Sequence, residues 1–337
     1  MIYVDIEKRF SDFHLKAKFS FNNEKSAILG NSGSGKSLIL KCIAGVEKPD
    51  AGKIIIDDQV VFDSAKQINL APGERKVGYL FQNYALFPNM SVYKNIYFVA
   101  KGTKEERRAK TNEILARLHI EPIKNLYPHQ ISGGQQQRVA LGRILVSESK
   151  TILLDEPFSA LDAPLKSKLE QELKQQLKTY TGNVILVSHN KEEVYRICDY
   201  LMIMNKGMIE CAGLKENVFF HPTSINSALL LEYKNISKIT RKGDKFYATN
   251  WNDLELNIKQ DFQYVAIHSY NLEISAAGQK FHVIEVIDEV NKKTLYLQGF
   301  ESIIQVCVAK NYQVADSNII NVDFPKNKLV LWHEVSE

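Results

Sequence analysis

The stretch KSAILGNSGSGKSLILKCIA, residues 25–44, constrains the fold of this chain more than any other. A short apolar run comes first, then a loop from Gly30 to Ser37, then apolar residues at helical spacing. A strand, a G-x-x-x-x-G-K-S loop and a helix in this order form a phosphate-binding pattern. Such a loop curls around an anion with its backbone N–H groups inward, and glycines tolerate the unusual dihedral angles that this requires.

The side chains of this loop predict a nucleotide site. Lys36 would reach the β- and γ-phosphates, and the Ser37 hydroxyl would coordinate Mg²⁺. The remaining loop residues predicted to bind the nucleotide are Asn31, Ser32, Gly33, Ser34 and Gly35.

Three further candidate residues stand at the ends of two short, almost wholly apolar runs, TILLDE and VILVSH. Runs of this kind are typical of strands buried on both faces of a parallel sheet. Asp155 would help to hold Mg²⁺, and Glu156 would orient or deprotonate the attacking water. A role for Glu156 as a plain helix-entry acid ahead of Pro157 is the alternative. His189 would contact the γ-phosphate, since such sheets bind ligands at their carboxyl edge, although a lone histidine can also be structural.

A second glycine-rich stretch, QISGGQQQRVALGRIL, occupies residues 130–145. Ser132, Gly133 and Gly134 offer backbone N–H groups at the start of a helical pattern, which is where phosphates bind. Taken alone, the stretch could be a helix cap with a flexible approach. A chain that already has one phosphate loop therefore contains a second candidate.

Composition excludes several classes of protein. An apolar fraction of 45% and a charged fraction of 24% are ordinary for a globular protein. The net charge of +4 is mild and neither half is strongly basic, so no nucleic-acid partner is expected. The four cysteines are far apart, which argues against zinc or disulfide frameworks and favours a reducing compartment. The N-terminus does not resemble a signal peptide, and the absence of an apolar run of 18 residues predicts that any membrane role needs a partner.

The pattern of elements predicts two domains. Residues 1–230 alternate strands and helices, including hairpins at 52–63 and around 205–207 and a helix at 104–118. Residues 235–337 contain short strands without a long helical pattern, which predicts a small all-β domain, an OB-like barrel or a sandwich.

These motifs, in this order, resemble those of an ATP-binding cassette (ABC) ATPase. The resemblance covers residues 1 to about 230 and includes the phosphate loop, Gln82 in FQNYALFP, SGGQQQR at 132–138, LLDEP, SALD at 159–162 and SH at 188–189. It implies an α/β P-loop NTPase core with a helical subdomain at about 88–145.

The resemblance also implies a head-to-tail homodimer with ATP between the phosphate loop of one copy and the serine-glycine-glycine loop of the other. Ser132, Gly133, Gly134 and Gln135 would then bind the ATP of the neighbouring copy, which explains the second phosphate-binding element. By the same resemblance, Gln82 would contact Mg²⁺ and the attacking water, and Asp162 would cross the interface.

An aromatic residue ahead of the loop would stack on the adenine. Phe10 and Phe13 are the candidates, and Phe10 is the preferred one. Two positions depart mildly from the family pattern, Asn190 where an acid is common and Ile131 where leucine is usual, and they leave the catalytic set intact.

One cassette followed by a β-domain resembles the ATPase subunits of bacterial importers. We expect a peripheral subunit at the cytoplasmic face of the cell membrane, bound to permease subunits through NYALFP and, through the permease, to a solute-binding protein. RKVGYLFQNYALFPNMSVYKNI and LLLEYKNIS look most like the molybdate and sulfate branch, so molybdate or tungstate is expected first and sulfate next. The β-domain would be regulatory. The alternatives are an importer ATPase for ferric iron or sugar, and a cassette that acts as a non-transport regulatory switch.

Overall fold

The computed structural model describes residues 1–22, 24–159, 163–299, 302–314 and 317–333. The chain divides into two compact units, Met1–Lys215 and Glu216–Glu337. Within the described ranges, no helix is long and apolar enough to cross a membrane.

The first unit is built on an 11-stranded sheet. Its strands are β1 (Ile2–Arg9), β2 (His14–Phe21), β3 (Lys25–Leu29), β4 (Ala51–Ile56), β5 (Gln59–Asp63), β6 (Ile68–Asn69), β7 (Val77–Leu80), β8 (Thr151–Asp155), β9 (Asn183–Ser188), β10 (Tyr200–Asn205) and β11 (Met208–Leu214). Their order in the sheet is β6-β5-β4-β1-β2-β11-β10-β3-β9-β8-β7. Both predicted hairpins are confirmed, as β4–β5 and β10–β11. Their turns place Asp57, Asp58, Lys206 and Gly207 at positive φ, as two-residue hairpin turns require.

Strands β3, β9, β8 and β7 are parallel neighbours and carry the predicted site at their carboxyl ends. Every residue of β8 and β9 is buried, which explains their continuous apolar runs. The register pairs Leu29 with Ser188, and Asp155 with Val187, so the ends of these strands lie at one edge of the sheet.

The helices of the chain are α1 (Lys36–Ala44), α2 (Val92–Val99), α3 (Lys104–Arg117), α4 (Gly133–Val146), α5 (Ala163–Lys178), α6 (Lys191–Ile197), α7 (Lys215–Phe220) and α8 (Ile225–Leu230), and short 3₁₀ helices span Pro72–Glu74, Glu121–Ile123, Pro128–Gln130, Thr249–Trp251 and Lys326–Lys328. Helices α2, α3 and α4 pack together around Gly142. A Cβ on Gly142 would lie 3.0 to 3.2 Å from side-chain methyl groups of Ile114, Ile96 and Leu118, so glycine lets the helices pack closely here.

A buried guanidinium secures the far end of α1. Arg75 is 2% exposed, and its Nη1 donates to the carbonyls of Cys42 and Ile43 at 2.7 and 3.0 Å. A cation at a helix C-terminus is favourable because it satisfies the last carbonyls and complements the helix dipole. The end of α1 opposite the phosphate loop is therefore held by a charge-assisted cap.

The second unit begins with the rest of α7 and with α8, and from Asn235 onward its described elements are strands and two short 3₁₀ helices. Its strands are β12 (Asn235–Lys242), β13 (Lys245–Ala248), β14 (Leu254–Leu256), β15 (Tyr264–Ile267), β16 (Glu273–Asp288), β17 (Lys292–Gln298), β18 (Ile303–Ala309), β19 (Ile319–Asp323) and β20 (Val330–Trp332). They form a five-stranded sheet, β14-β13-β12-β15-β20, and a four-stranded sheet, β18-β17-β16-β19. Both sheets supply one hydrophobic core, with Trp251 completely buried and Val265 and Leu295 contributed from opposite sheets.

Candidate functional site

The phosphate loop joins β3 to α1 in a conformation that depends on its glycines. Gly33 and Gly35 have φ of 78° and 103°, in the region that favours glycine. A Cβ on Gly35 would lie 2.7 Å from Cζ of Phe13, and one on Gly30 would lie 2.4 Å from the carbonyl oxygen of Met204. The loop therefore packs closely on its surroundings in the same chain.

Lys36 lies inside this loop. The residue is 4% exposed, and its Nζ donates to the carbonyls of Gly30 and Asn31, each at 2.9 Å. Burial lowers the pKa of Lys36, while the nearby carboxylates of Glu156 and Asp155 act in the opposite direction. A buried ammonium in a curled loop is suited to an anionic ligand.

Ser34 provides a second polar group in the loop. The residue is 4% exposed, and its Oγ is buried without a hydrogen-bond partner among the described residues. A buried hydroxyl without a partner is costly, so such groups commonly serve a ligand. Ser34 Oγ therefore fits a phosphate oxygen in the loop.

Asp155 ends β8 beside Ser37. Ser37 Oγ donates to Asp155 Oδ1 at 2.7 Å, across 118 residues of sequence. Tyr79 Oη donates to the other carboxylate oxygen, Oδ2, at 2.9 Å. Burial raises the pKa of Tyr79, and the charge and hydrogen bond of Asp155 add to the effect, so the phenol stays a donor.

The Ser37 and Asp155 pair fits a magnesium site of a particular kind. No group of three or more His, Cys, Asp or Glu side chains arranged to hold a metal occurs in the part of the chain that the structure describes. Mg²⁺ in nucleotide sites takes one or two protein oxygens, with phosphates and waters completing its coordination. A hydroxyl and a carboxylate in contact beside the loop match that donor set.

Glu156 follows Asp155 and turns sharply out of the strand. Its φ is 44°, unusual for a residue other than glycine, and its N–H donates to the carbonyl of Val187 at 3.0 Å. Strained residues of this kind are found most often at functional sites. Nδ1 of His189 lies 3.4 Å from Oε2 of Glu156, and the two side chains are 53% and 17% exposed. The structure thus brings together two of the three predicted catalytic side chains, the third being Gln82.

The turn that carries His189 is held by a buried carboxylate. Glu193 is 3% exposed and accepts a hydrogen bond from Ser188 Oγ at 2.6 Å. Ser188 Oγ in turn accepts from the N–H of Asn190 at 2.9 Å, and Lys166 of α5 forms an ion pair with Glu193. Both neighbours of His189 are therefore tied to Glu193.

An open cleft of about 250 Å³ lies at the loop. Its lining consists of Phe13, Ser32, Gly33, Gly35, Lys36, Ser37, Leu38 and Glu156. Phe13 thus lines the cleft, where its ring packs against Gly35. Phe10, the preferred adenine partner, is 50% exposed, and Lys8 Nζ lies 5.5 Å from its ring centroid. Phe13 is half-buried and lines the cleft, whereas Phe10 is exposed and is not among the described residues that line it.

The second glycine-rich stretch forms the start of α4. Ser132 is its N-cap, with Oγ accepting from the N–H of Gln135 at 3.3 Å, and Gln135 Oε1 accepts from the N–H of Ser132 at 2.9 Å. Ser132 and Gly133 are exposed, and a Cβ on Gly133 would meet nothing within 4 Å. None of residues 132–135 is among the described residues that line the cleft. Helix α4 therefore presents its positive end outward, away from the phosphate loop of its own chain.

Gln82 lies two residues after β7, and its side chain is exposed. Because Leu80 of β7 pairs with Leu154 of β8, the segment that carries Gln82 leaves the sheet at the same edge as Asp155. Gln82 is not among the described residues that line the cleft. Asp162 lies outside the described residues.

The segment after Gln82 is folded by two polar side chains. Asn95 is completely buried and bonds the backbone N–H and carbonyl of Phe87 at 2.9 and 3.1 Å. Arg143 donates to the carbonyl of Ala85, and its guanidinium lies 4.5 Å from the ring centroid of Phe87. A cavity of about 190 Å³ lies here, lined by Tyr79, Phe81, Tyr84 and Arg143 among others.

Sequence reasoning missed two polar groups of this site, namely the Tyr79 hydroxyl and the Glu193 carboxylate. Tyr79 reads as one more apolar position in KVGYLF, and Glu193 reads as an acid in the first turn of a helix. A tyrosine in a strand otherwise apolar was the available signal, since a buried tyrosine hydroxyl usually finds a partner.

Comparison with known proteins places the chain in a family. Residues 16–159 match the family model described as ABC transporter. A sulfate/thiosulfate import ATP-binding protein of Neisseria meningitidis is 39% identical over 65% of this chain and 62% of its own length. A molybdenum import ATP-binding protein of Aliivibrio fischeri is 34% identical over 66% of this chain and 60% of its own length. A glucose import ATP-binding protein of Saccharolobus solfataricus is 37% identical over 66% of this chain and 64% of its own length.

The match thus spans about three fifths of the first two relatives. A probable sulfate/thiosulfate import ATP-binding protein of Chlorella vulgaris is 36% identical over 66% of this chain and 95% of its own length. A dimeric structure of the ATP-binding cassette MJ0796 in a post-hydrolysis state, bound to ADP and phosphate, is 27% identical, with a TM-score of 0.55 over 64% of this chain and 99% of that one. The phosphate loop, the acids of β8 and these matches together lead to one conclusion: the chain belongs to the ABC transporter family of ATP-binding proteins.

Proposed function

We propose that this chain is the ATP-hydrolysing motor subunit of a membrane importer. The observation that carries the proposal is the grouping of Lys36, Ser37, Asp155 and Glu156 at one edge of the sheet. The proposal draws support from relatives named as import ATP-binding proteins.

Each side chain has a defined part in this chemistry. Lys36 and the N–H groups of residues 31–37 bind the phosphates, and Ser37 and Asp155 hold Mg²⁺, which neutralises charge on the phosphates when bound. Glu156 orients the attacking water and accepts its proton. His189, 3.4 Å from Glu156, would contact the γ-phosphate. Gln82 would reach the same metal and water from the end of β7.

Two copies of the chain would complete the site. The start of α4 is exposed at Ser132 and Gly133, and backbone N–H groups at a helix start together with the helix dipole suit a phosphate. We propose that they bind the ATP held by the phosphate loop of the second copy. The dimeric cassette that this fold resembles, bound to ADP and phosphate, supports this arrangement.

We further propose that permease subunits dock on the segment after Gln82 and so hold the chain at the cytoplasmic face of the membrane, with a solute-binding protein engaged through the permease. Phe98 is 58% exposed and packs edge-on against Phe87. This exposed ring and the cavity beside Phe87 suit an apolar side chain of a partner.

Glu156→Gln tests the motor function. Loss of the carboxylate should lower ATP turnover by about 10² to 10⁴, the usual contribution of a general base. Because binding groups are untouched, ATP should then accumulate a dimer, seen as a doubled mass in light scattering. Glu192→Gln is the matched control, since it makes the same change at a side chain that is 68% exposed.

A Glu156→Gln variant that turns over ATP at the wild-type rate would contradict the catalytic assignment. A variant that is inactive but keeps its monomer mass with ATP would contradict the two-copy site instead.

For the cargo we propose a tetrahedral oxyanion, with molybdate or tungstate first and sulfate second. Relatives named for molybdenum and for sulfate/thiosulfate support the class, while a relative named for glucose makes a sugar the competing cargo. The cavity of about 360 Å³ in the second unit is lined by Asp253, Glu255, Asp323 and Lys326 among others, and Lys242 and Lys245 form ion pairs with Asp253 and Glu255. This lining offers an anion no excess of positive charge, so we expect cargo specificity to lie with the membrane partners.

Purification of the tagged chain from membranes tests both the cargo and the class of protein. ATP hydrolysis by the recovered complex should rise with one of molybdate, tungstate, sulfate, ferric citrate or glucose once the binding protein is present. Recovery with two copies of a membrane protein supports the importer. Recovery without any membrane protein would favour the regulatory switch.

A further inference from the structure

We propose that Tyr79 is a positioning residue of this site, whose hydroxyl holds the Asp155 carboxylate in the orientation in which Asp155 and Ser37 bind Mg²⁺. The role rests on the proposed function and deepens it, because Tyr79 belongs to none of the motifs that carry that function.

The carboxylate of Asp155 is oriented by hydrogen bonds rather than by its rotamer. The terminal torsion of aspartate is broad, so packing alone leaves the carboxylate plane poorly defined. Ser37 Oγ donates to Oδ1 at 2.7 Å and Tyr79 Oη to Oδ2 at 2.9 Å, so each oxygen has its own donor. With Oδ2 held by the phenol, Oδ1 stays directed at Ser37, the other predicted metal ligand.

Strand register explains why the residue is a tyrosine. Tyr79 of β7 pairs with Leu153 of the parallel strand β8, two residues before Asp155. Two residues of a strand span about 6.6 Å, a distance that the long tyrosine side chain covers along its neighbour. Phenylalanine would fill the same space without donating a hydrogen bond.

The ring of Tyr79 is held on its other side. It packs against Phe81 with centroids 4.2 Å apart, and both rings line the 190 Å³ cavity. Phe81 immediately precedes Gln82, and the Tyr79 hydroxyl bonds Asp155. Tyr79 therefore contacts the two segments that carry the predicted magnesium ligands Gln82 and Asp155. One side chain thus joins the ends of β7 and β8.

Tyr79→Phe in the full chain tests this role. The melting temperature is followed while Mg²⁺ is titrated at fixed ATP, and separately with ATP in EDTA. Loss of a hydrogen bond to a metal-binding carboxylate typically weakens metal affinity 10- to 100-fold. We expect the Mg²⁺ concentration at half-maximal stabilisation to rise about tenfold, while stabilisation by ATP in EDTA stays at the wild-type value.

Tyr180→Phe is the matched control. Tyr180 Oη donates to the carbonyl of Ser149 at 2.5 Å, so this variant also loses a tyrosine hydroxyl bond without touching Asp155. It should lower the melting temperature and keep the wild-type Mg²⁺ curve. A Tyr79→Phe curve that superimposes on wild type, or an equal shift in Tyr180→Phe, would overturn the role of Tyr79.

A second comparison uses Asp155→Asn. In that background Tyr79→Phe should add no further shift in Mg²⁺ dependence, because a residue acting through Asp155 has nothing left to position. An additive shift would overturn the proposal. If the wild-type chain itself shows no Mg²⁺-dependent stabilisation by ATP, the proposed function fails; a normal wild-type curve with an unaltered variant removes only the role of Tyr79.

Discussion

The two glycine-rich elements, residues 30–37 and 132–135, differ in how closely the rest of the chain packs on them. In the first, Lys36 and Ser34 are each 4% exposed, and added Cβ atoms at Gly30 and Gly35 would meet other parts of the chain. In the second, Ser132 and Gly133 are exposed, and an added Cβ at Gly133 would meet nothing. The first element is a cradle built by tertiary packing, whereas the second is a helix start that faces outward.

This difference teaches that a glycine has two uses in phosphate binding. In the phosphate loop it admits close contact with Phe13 and Met204 of the same chain. At the start of α4 it keeps the surface clear, which is what close approach of a second molecule requires. The proposed dimer would bring the two kinds together around one ATP.

The largest expected effect is that of Lys36→Ala on ATP binding. Removing one partner of a buried, hydrogen-bonded charge pair costs about 2 to 5 kcal/mol, or roughly 30-fold to several-thousand-fold in Kd. Calorimetric titration of the full chain with MgATP measures the loss. Lys41→Ala, at an exposed position of the same helix, should bind ATP as the wild type does. Equal affinity in the two variants would break the comparison, because the loop would then not be the nucleotide cradle.

The next effect concerns the exposed element. Ser132→Arg places a long charged side chain on the outward helix start, so approach of a second copy should fail while ATP binding to the monomer persists. Hydrolysis should fall about a hundredfold, the loss typical when fixed donors to a reacting anion are removed.

Thr103→Arg is the control for Ser132→Arg. Thr103 caps α3 through the same reciprocal bonds, here with Glu106, and is also exposed. Its variant should be destabilised to a similar degree and remain active. Full hydrolysis by Ser132→Arg would show that α4 takes no part in the site.

The smallest effect separates the two aromatic candidates. Phe10→Ala should weaken ATP binding by about 1 kcal/mol, or about fivefold, because one aromatic stacking contact contributes about that much. Phe13→Ala should mainly lower the melting temperature, since that ring packs against Gly35 and the core of the first unit. If GTP and ATP titrations respond to Phe13→Ala but not to Phe10→Ala, the base lies against Phe13.

Much of the site was predictable because local chemistry encodes it. The loop, helix α1 and the acids of β8 appear where the pattern puts them, and the hairpin around residues 205–207 forms at its predicted turn. Tyr79 was not predictable. Its partner Asp155 lies 76 residues away, and only the pairing of β7 with β8 brings the two together.

Glu193 illustrates the same limit. In KEEVYR it is one of two adjacent acids at a helix start, where the dipole favours negative charge. The structure separates them: Glu192 is 68% exposed, whereas Glu193 is 3% exposed and bonded to Ser188 and Lys166. Which acid faces inward depends on how α6 packs on the sheet.

The sequence by itself determined the types of the elements, the order of the motifs and the residues proposed to bind phosphate, because these depend on spacing, capping and glycine content within short stretches. Only the tertiary structure decided which groups meet: Ser37 with Asp155, Tyr79 with Asp155 and His189 with Glu156. Those contacts follow from the order and register of parallel strands, and parallel strands are joined through long crossovers whose partners no local pattern specifies.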